Sequence, residues 1–531
     1  MSCIDVKSYV SSLTDEELCG EVLCWQFNPG LPDEEIVSSI IKNKISNFFV
    51  APPFPSEKLN FIKSAIKENS KSPSLVAADI ECGPVLYPEL KEYCLNMMNL
   101  GAACDPSLAF EIGKYTARLT RSLGIHLPLS PVIDINFNPN NPVTNIRAAG
   151  DTLEAVRCAA LEYGRGMRSE GHLAIVPKHF PGDGVDNKNQ HLTTSVNSLS
   201  KEEWMENYGK AYKQIIADGA ESIMVGHIAL PSYDPTLDES GFYLPATLSK
   251  SLMTDLLKGE LGFDGCIMSD AVSMVGIAAR ISVEKMSVEF LRAGGDLVLF
   301  PEKGDHERIL EALHSGYLER ARLVDAAERV VNLKAKLGLF EECEYIATEN
   351  DVKKMKSLFE QAAKKSVTVV KNIDGILPLK AEKNKKALVI SLTSGAKDDP
   401  NDAFPTLANE LESRGLEVVR LTNPSHYILE ELMDSIDTVF ISSYIDPGHS
   451  SGSSLHLGWN NIMAFWRGCV FRCEKVVFIS FGDPYKLIEL PFLKTYVNAY
   501  SNSEISIKAA VSACFGEEKV TGVSPVNFPK Y

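Results

Sequence analysis

The sequence predicts an α/β protein, a (β/α)8 barrel of the TIM type followed by a smaller αβα sandwich. Two observations predict the barrel. Eight short apolar runs punctuate roughly the first 300 residues with helical periodicity between them, and polar side chains stand just beyond most of the runs. A third predicts the sandwich: after about residue 303 the rhythm lengthens into long helices, and a second set of apolar runs begins near Val367.

The eight runs are Val22–Trp25, Ile45–Val50, Leu75–Ala78, Ile125–Leu129, Leu173–Val176, Ser222–Val225, Cys266–Met268 and Asp296–Phe300. Between them lie stretches of helical periodicity such as 204–216 and 252–261. Short strands alternating with helices imply parallel β/α units, and eight of them within ~250–400 residues suit a closed barrel. A doubly wound sheet is the rival, but its nucleotide-binding form needs a glycine-rich phosphate loop, and the sequence has none. Asp79 and Glu81 follow the third run, and Asp134, Asn136, Asn138 and Arg147 the fourth. Lys178 and His179 follow the fifth, His227 the sixth, and Ser269 and Asp270 the seventh. A barrel keeps its active site at these strand ends. A helix N-cap explains one such residue, Asp79 or Ser269 for example, but not the set.

Helices are predicted over 307–317 and 323–337, before the acidic stretch Glu341-Glu342-Cys343-Glu344. The barrel is therefore assigned to 1–340, a linking helix and connection to 341–375, and the sandwich to 376–531. The later runs are Val367–Val370, Ala387–Leu392, Glu417–Leu421, Thr438–Ser443, Val476–Phe481 and Tyr496–Ala499, with a helix over 403–414. Five or six strands over ~155 residues suit a flavodoxin-like sandwich. Its loops are poor in glycine, so packing or gating of substrate is expected of it rather than a cofactor site. The stretch 445–458 reads as its most flexible loop, of a length to reach the barrel mouth.

Composition excludes several partners. The net charge is −17, from 53 basic and 70 acidic residues, which argues against nucleic acid or an anionic membrane. No run of eighteen apolar residues and no basic-then-apolar leader is present, so neither a membrane span nor a signal peptide is expected. Of the twelve Cys, only Cys469 and Cys473 approach a metal spacing, and nothing completes four ligands. Buried thiols in a reducing cytoplasm are the expectation, with no metal.

The densest polar stretch is Pro177-Lys178-His179-Phe180-Pro181-Gly182-Asp183-Gly184, continuing through Asp186, Asn187, Lys188, Asn189 and Gln190 to His191. A rigid, charged loop leaving an apolar strand reads as a site. The residue types suit glycoside chemistry, in which a carboxylate attacks the anomeric carbon and an acid protonates the leaving oxygen. No HExxH pair, nucleophile elbow or P-loop points elsewhere.

The stretch Lys178 to Gly184 resembles the signature of glycoside hydrolase family 3, in particular its β-N-acetylglucosaminidase branch. Four other stretches agree: Val76 to Gly83, Val132 to Arg147, Leu244 to Asp270 through Leu261-Gly262-Phe263-Asp264-Gly265, and Leu377-Pro378-Leu379. The resemblance spans nearly the whole chain and implies a barrel followed by a sandwich. It also implies Asp270 as nucleophile, with Asp79, Arg147, Lys178 and His179 gripping the sugar. The acid/base of this branch is a His on the loop after the signature, here His191, paired with an Asp two residues earlier.

That earlier position holds Asn189. An amide can orient an imidazole but supplies no negative charge, so a less basic ring is expected. Loss of charge from a comparable Asp–His pair costs several orders of magnitude in rate. Asp186 or Asp183 is the candidate substitute partner. Cys82, Pro84 and Tyr87 also depart from the branch, where Glu-Gly-Gly and often Arg stand. The expectation is a cytoplasmic, retaining, exo-acting β-N-acetylglucosaminidase acting on small sugar conjugates, with no cofactor. The alternatives are a phosphorylase using phosphate as acceptor, a β-glucosidase, or a feeble sugar-binding protein.

Overall fold

The computed structural model describes residues 4–341, 345–393, 404–445, 447 and 454–528. Fifteen strands occur among them. In the first part they are β1 Leu23–Gln26, β2 Asn47–Val50, β3 Leu75–Ala78, β4 Leu127–Pro128, β5 Ser195–Val196, β6 Ser222–Val225, β7 Ile228–Ala229, β8 Cys266–Ser269 and β9 Val298–Leu299. Every residue of β2, β3, β6 and β8 is buried. Uninterrupted burial is the mark of parallel strands covered on both faces, and it explains why the runs read as continuously apolar.

Strands β4, β3, β2, β1 and β9 form one parallel sheet in that order, and β6 pairs with β8. Isolated parallel bridges join the two sets: Val132 with Lys178, Phe180 with Val225, and Met268 with Leu297. The result is a curled parallel α/β sheet with helices outside it.

One predicted strand departs from regularity. Leu173–Val176 lies between β4 and β6 and donates from Ala174 to His126 O (3.0 Å) and from Val176 to Ser130 O (2.7 Å), yet forms no continuous ladder. Pro128, Pro131 and Pro177 have no amide hydrogen, so the ladder breaks on both sides of this segment. The predicted helices at 204–216 and 252–261 occur as Lys201–Ala217, π-wound over Met205–Gly209, and as the π-wound Ser251–Glu260.

The second part contains β10 Thr368–Asn372, β11 Lys386–Thr393, β12 Glu417–Thr422, β13 Thr438–Tyr444, β14 Val476–Ser480 and β15 Thr495–Asn498. They lie in the order β10-β15-β14-β13-β11-β12, with only β10 antiparallel to its neighbour. The five parallel strands follow the flavodoxin order. The helix Glu349–Ser366, started by a Thr348/Asp351 capping box, runs into β10 and packs against helices of both parts. Residues 446 and 448–453 of the loop expected to reach the barrel mouth lie outside the described residues, as do Cys343 and its neighbours 342 and 344.

The two parts meet along the segment that follows β4. Asn136 Nδ2 donates to the Tyr485 hydroxyl at 3.0 Å, and Asn145 Nδ2 to Asp483 Oδ1 at 3.1 Å. Asp151 N donates to Pro525 O at 3.1 Å. Loops of the second part thus brace the segment that carries Asp134 and Arg147.

At the opposite end, where the strands begin, Lys334 is fully buried with its Nζ 2.5 Å from Glu21 and 2.9 Å from both Ser46 Oγ and Ser72 Oγ. This cluster ties the starts of β1, β2 and β3 to the helix Arg320–Lys336. Removing one partner leaves a buried charge uncompensated, at a cost of about 3–5 kcal/mol. Lys334→Ala is therefore expected to lower the thermal midpoint by several degrees. The apolar double variant Glu21→Leu/Lys334→Met should recover most of that loss, both read by thermal unfolding.

Candidate active site

The polar strand ends converge on one cavity of about 340 Å³, the scale of a site for a small ligand. Asp79, Glu81, Arg147, Lys178, His179, His191 and Asp270 line it, with Met224, Met274 and Phe300 among its apolar walls. Pro447 of the second part also lines it. Six residues expected from the sequence therefore meet in one place, while Asn189 and Asp186 stand behind the wall.

Its centre is a chain of ion pairs. Arg147, on the turn Asn145–Arg147, meets both oxygens of Glu81, at 2.6 Å from Nη2 and 3.0 Å from Nε. Lys178 Nζ lies 2.9 Å from Glu81 Oε1 and 3.1 Å from Asp79 Oδ1. Burial raises the pKa of Glu81, but Arg147 and Lys178 overcome this and hold its carboxyl well below the usual range. Burial opposes the charge on Lys178 as well, and Asp79 and Glu81 restore it. Asp79 sits at the rim, its side chain 53% exposed.

His179 is fixed from behind. Its Nδ1 lies 2.7 Å from Asp134 Oδ2, and Asp134 Oδ1 accepts from the amides of His179 (3.1 Å) and Asp183 (2.8 Å). The carboxylate holds the proton on Nδ1 and leaves Nε2 for a ligand. Asp183 is buried nearby, its Oδ1 accepting from Asn141 Nδ2 at 3.0 Å and Gly184 N at 2.6 Å, its Oδ2 without a hydrogen bond. Burial, then the charges of Asp134 and Asp186, push its pKa up to about 7.

Asp270 follows β8, its amide donating to Val225 O at 2.8 Å. Burial raises its pKa, but the fields of His179 and His227, the Ala271 amide at 2.8 Å and Lys178 bring it below the usual value. It forms no salt bridge among the described residues, whereas Asp79 and Glu81 are both paired with cations. His227 is fully buried, Nδ1 3.0 Å from Thr247 Oγ1 and Nε2 2.9 Å from Ala271 O. A carbonyl only accepts, so Nε2 carries the hydrogen, and burial lowers the ring's pKa. This strand-end residue braces the wall rather than facing the ligand.

His191 Nδ1 lies 2.8 Å from Asn189 Oδ1, and the same oxygen accepts from His191 N at 3.0 Å. The amide thus takes the place of the expected carboxylate and orients the ring through Nδ1. Asp186 does not turn toward it. Its carboxylate accepts from Ser195 Oγ (2.8 Å), Val196 N (2.7 Å) and Lys188 N (3.1 Å), bracing the loop onto β5. Asp183 likewise stays with Asn141 and Gly184.

Sequence reasoning flagged Glu81 and Asp134 only as strand-end polar residues, without roles. The cationic partners of the one and the imidazole partner of the other appear only once distant segments meet. Of the departures at 82, 84 and 87, none lines the cavity. Gly83 between them has φ +109°, and a Cβ there would lie 2.5 Å from the Phe359 ring, so glycine is required.

A carboxylate that forms no salt bridge among the described residues lines the same small cavity as an oriented imidazole and a charged grip, an arrangement that suits glycosyl transfer to water or another small acceptor. The family model for the glycosyl hydrolase family 3 N-terminal domain matches residues 32–333, more than half the chain. The chain belongs to glycoside hydrolase family 3. It is 28% identical over 492 residues to a β-N-acetylglucosaminidase/β-glucosidase of Cellulomonas fimi, covering 87% of this chain and 85% of the relative. A β-hexosaminidase of Stenotrophomonas maltophilia is 30% identical over 272 residues, 49% of this chain and 75% of its own. Among solved structures, a β-glucoside phosphorylase superposes with a TM-score of 0.86 at 29% identity, covering 98% of this chain and 96% of that one. A β-N-acetylglucosaminidase of Paenibacillus sp. shares the fold, with a TM-score of 0.81 at 24% identity, covering 97% of this chain and 99% of that one.

Asp183 gives this site a pH signature. Its folded pKa lies above its unfolded value near 4, so the folded state holds a proton that the unfolded state releases between about pH 4 and pH 7. Stability therefore falls as pH rises through that window. Asp183→Asn removes the ionisable group and should raise the thermal midpoint relative to the parent at pH 8. At pH 4 the gain should vanish; an equal shift at both values contradicts the assignment.

Proposed function

We propose that the protein is a retaining exo-glycosidase that removes terminal β-linked N-acetylglucosamine, or a related β-sugar, from small conjugates. The observation that carries this is Asp270, the one carboxylate lining the cavity that pairs with no cation among the described residues. It attacks the anomeric carbon while Nε2 of protonated His191 gives its proton to the leaving oxygen, forming a glycosyl ester on Asp270. His191, now neutral, takes a proton from water as that water attacks the same carbon and Asp270 leaves as carboxylate. Two displacements retain configuration. The ion-paired Asp79, Lys178, Arg147 and His179 orient the ring hydroxyls.

The same reading covers architecture and place. The parallel bridges that link β4 through Lys178 and Phe180 to β6, and β8 to β9, support a closed (β/α)8 barrel over 1–340. The connection is assigned to 341–375 and the αβα sandwich to 376–531, with β10 as its antiparallel edge. The ten described cysteines are all free, which supports a reducing cytoplasm. Among the described residues no helix is long and apolar enough to cross a membrane.

A second reading, phosphorolysis, is favoured by Asn189. A carboxylate at this position would repel an anionic acceptor, and the amide does not. Phosphate oxygen would attack the glycosyl carbon, and Asp270 would leave to give a sugar 1-phosphate of retained configuration. The β-glucoside phosphorylase with the same fold supports keeping it open.

Asp270→Ala is expected to cut turnover of an aryl β-N-acetylglucosaminide by about 10⁴-fold or more without loss of fold; a near-parental rate overturns the assignment. Product analysis of the parent with and without phosphate separates the acceptors. Sugar 1-phosphate supports the second reading, and Asn189→Asp should then shift the ratio toward free sugar. Free sugar alone in both buffers leaves hydrolysis.

A further inference from the structure

We propose that Gln190 is a positioning residue that locks the proton-transfer arm to the nucleophile-bearing strand end, with His227 as the link. The proposal rests on the acid/base role of His191 above. Residues on a loop are ordinarily the more mobile part of a site. Acid and nucleophile must nonetheless keep a fixed relation across the scissile bond, to within about 0.5 Å. His191 lies on the loop after the Lys178–Gly184 turn and Asp270 at the end of β8, so something must set one against the other.

The connection can be followed atom by atom. Gln190 is 1% exposed, and its Oε1 accepts from the backbone amide of His227 at 3.2 Å. The His227 ring donates from Nε2 to Ala271 O at 2.9 Å, and Ala271 N donates to Asp270 Oδ1 at 2.8 Å. A second line runs along the other side of the arm. Val275 N donates to His191 O at 3.1 Å, and Thr194 Oγ1 to Gly276 O at 2.7 Å. Gly276 permits this approach, because a Cβ there would sit 2.3 Å from Gln190 O. The arm is therefore held on both sides of His191 by segments that flank the nucleophile. Without the Gln190 acceptor, the buried His227 amide loses its partner and the arm is tied on one side alone.

The test uses leaving groups, because only acid assistance depends on them. In kcat/KM, which reports formation of the glycosyl-enzyme, a 2,4-dinitrophenyl glycoside departs without a proton, whereas a methylumbelliferyl glycoside gains more from one. Gln190→Ala is expected to lower kcat/KM on the methylumbelliferyl substrate by about 10²-fold, and on the dinitrophenyl substrate by less than about threefold. Gly276→Ala, which pushes the arm from the other side, should show the same selectivity. If Gln190→Ala does not fold by thermal melt, Gln190→Met keeps the volume without the acceptor and serves in its place. Equal losses on both substrates, or none on either, overturn the proposal. His191→Ala is the control: if it shows no leaving-group selectivity, the acid/base reading itself fails, which is a different outcome.

Discussion

The site depends on one partly buried carboxylate. Glu81 brings Arg147 and Lys178 to within hydrogen-bonding distance of a single side chain, and so joins three segments: the end of β3, the turn after β4, and the turn after Leu173–Val176. Two guanidinium contacts fix its plane, and the ammonium closes the remaining side. Each of these groups is costly to withdraw from water alone, and they are withdrawn together, Lys178 fully and Glu81 and Arg147 in part. Asp79 extends it to the rim, where half its surface meets solvent. The cations face the cavity already neutralised, so they act as directional hydrogen-bond donors for hydroxyls more than as a net positive field.

A second carboxylate, Asp134, plays the matching part behind the ring of His179. It accepts from two backbone amides and one imidazole, and thereby shapes the turn that presents Lys178 to Glu81. Asp183 and Asp186 form no salt bridge among the described residues, and burial together with the charges of Asp134 and Asp186 pushes the Asp183 pKa up to about 7. The turn is held by hydrogen bonds to carboxylates whose mutual repulsion the fold tolerates by keeping a proton.

Much of this was legible in the chain itself, and the reasons it was legible are physical. Strands such as Leu75–Ala78 and Ser222–Val225 are buried on both faces, so their apolar runs have the same ends as the strands. The residues that follow them point into one cavity because parallel strands end on one side. What could not be read depends on contacts distant in sequence. The prolines at 128, 131 and 177 turned an apolar run into an irregular segment. His227 looked like a ligand group until Thr247 and Ala271 claimed both its nitrogens, and Asp186 looked like a partner for His191 until β5 claimed it. Pro447, by contrast, belongs to the loop 445–458 whose length suggested that it reaches the barrel mouth, and it lines the cavity.

Asn189 has to be judged by the charge of the site at the moment the acceptor arrives. In the free enzyme the lining holds three carboxylates, Asp79, Glu81 and Asp270, against Lys178 and Arg147, a formal charge of −1 that the protonated His191 of the proposed first displacement brings to zero. In the proposed first displacement, formation of the glycosyl ester would remove the charge of Asp270 as His191 gives up its proton, and the lining would stay neutral. An Asp at 189 would add a negative charge 2.8 Å from the ring at that same moment, and little solvent separates it from the cavity because the position is buried. With Asn there, an anionic acceptor approaching the ester meets no net repulsion, and neutral His191 can take a proton from either phosphate or water. The substitution therefore bears on the second displacement as much as on the first. On the proposed roles of Asp270 and His191, it would weaken the assistance given to the leaving group and open the intermediate to acceptors that a carboxylate would turn away.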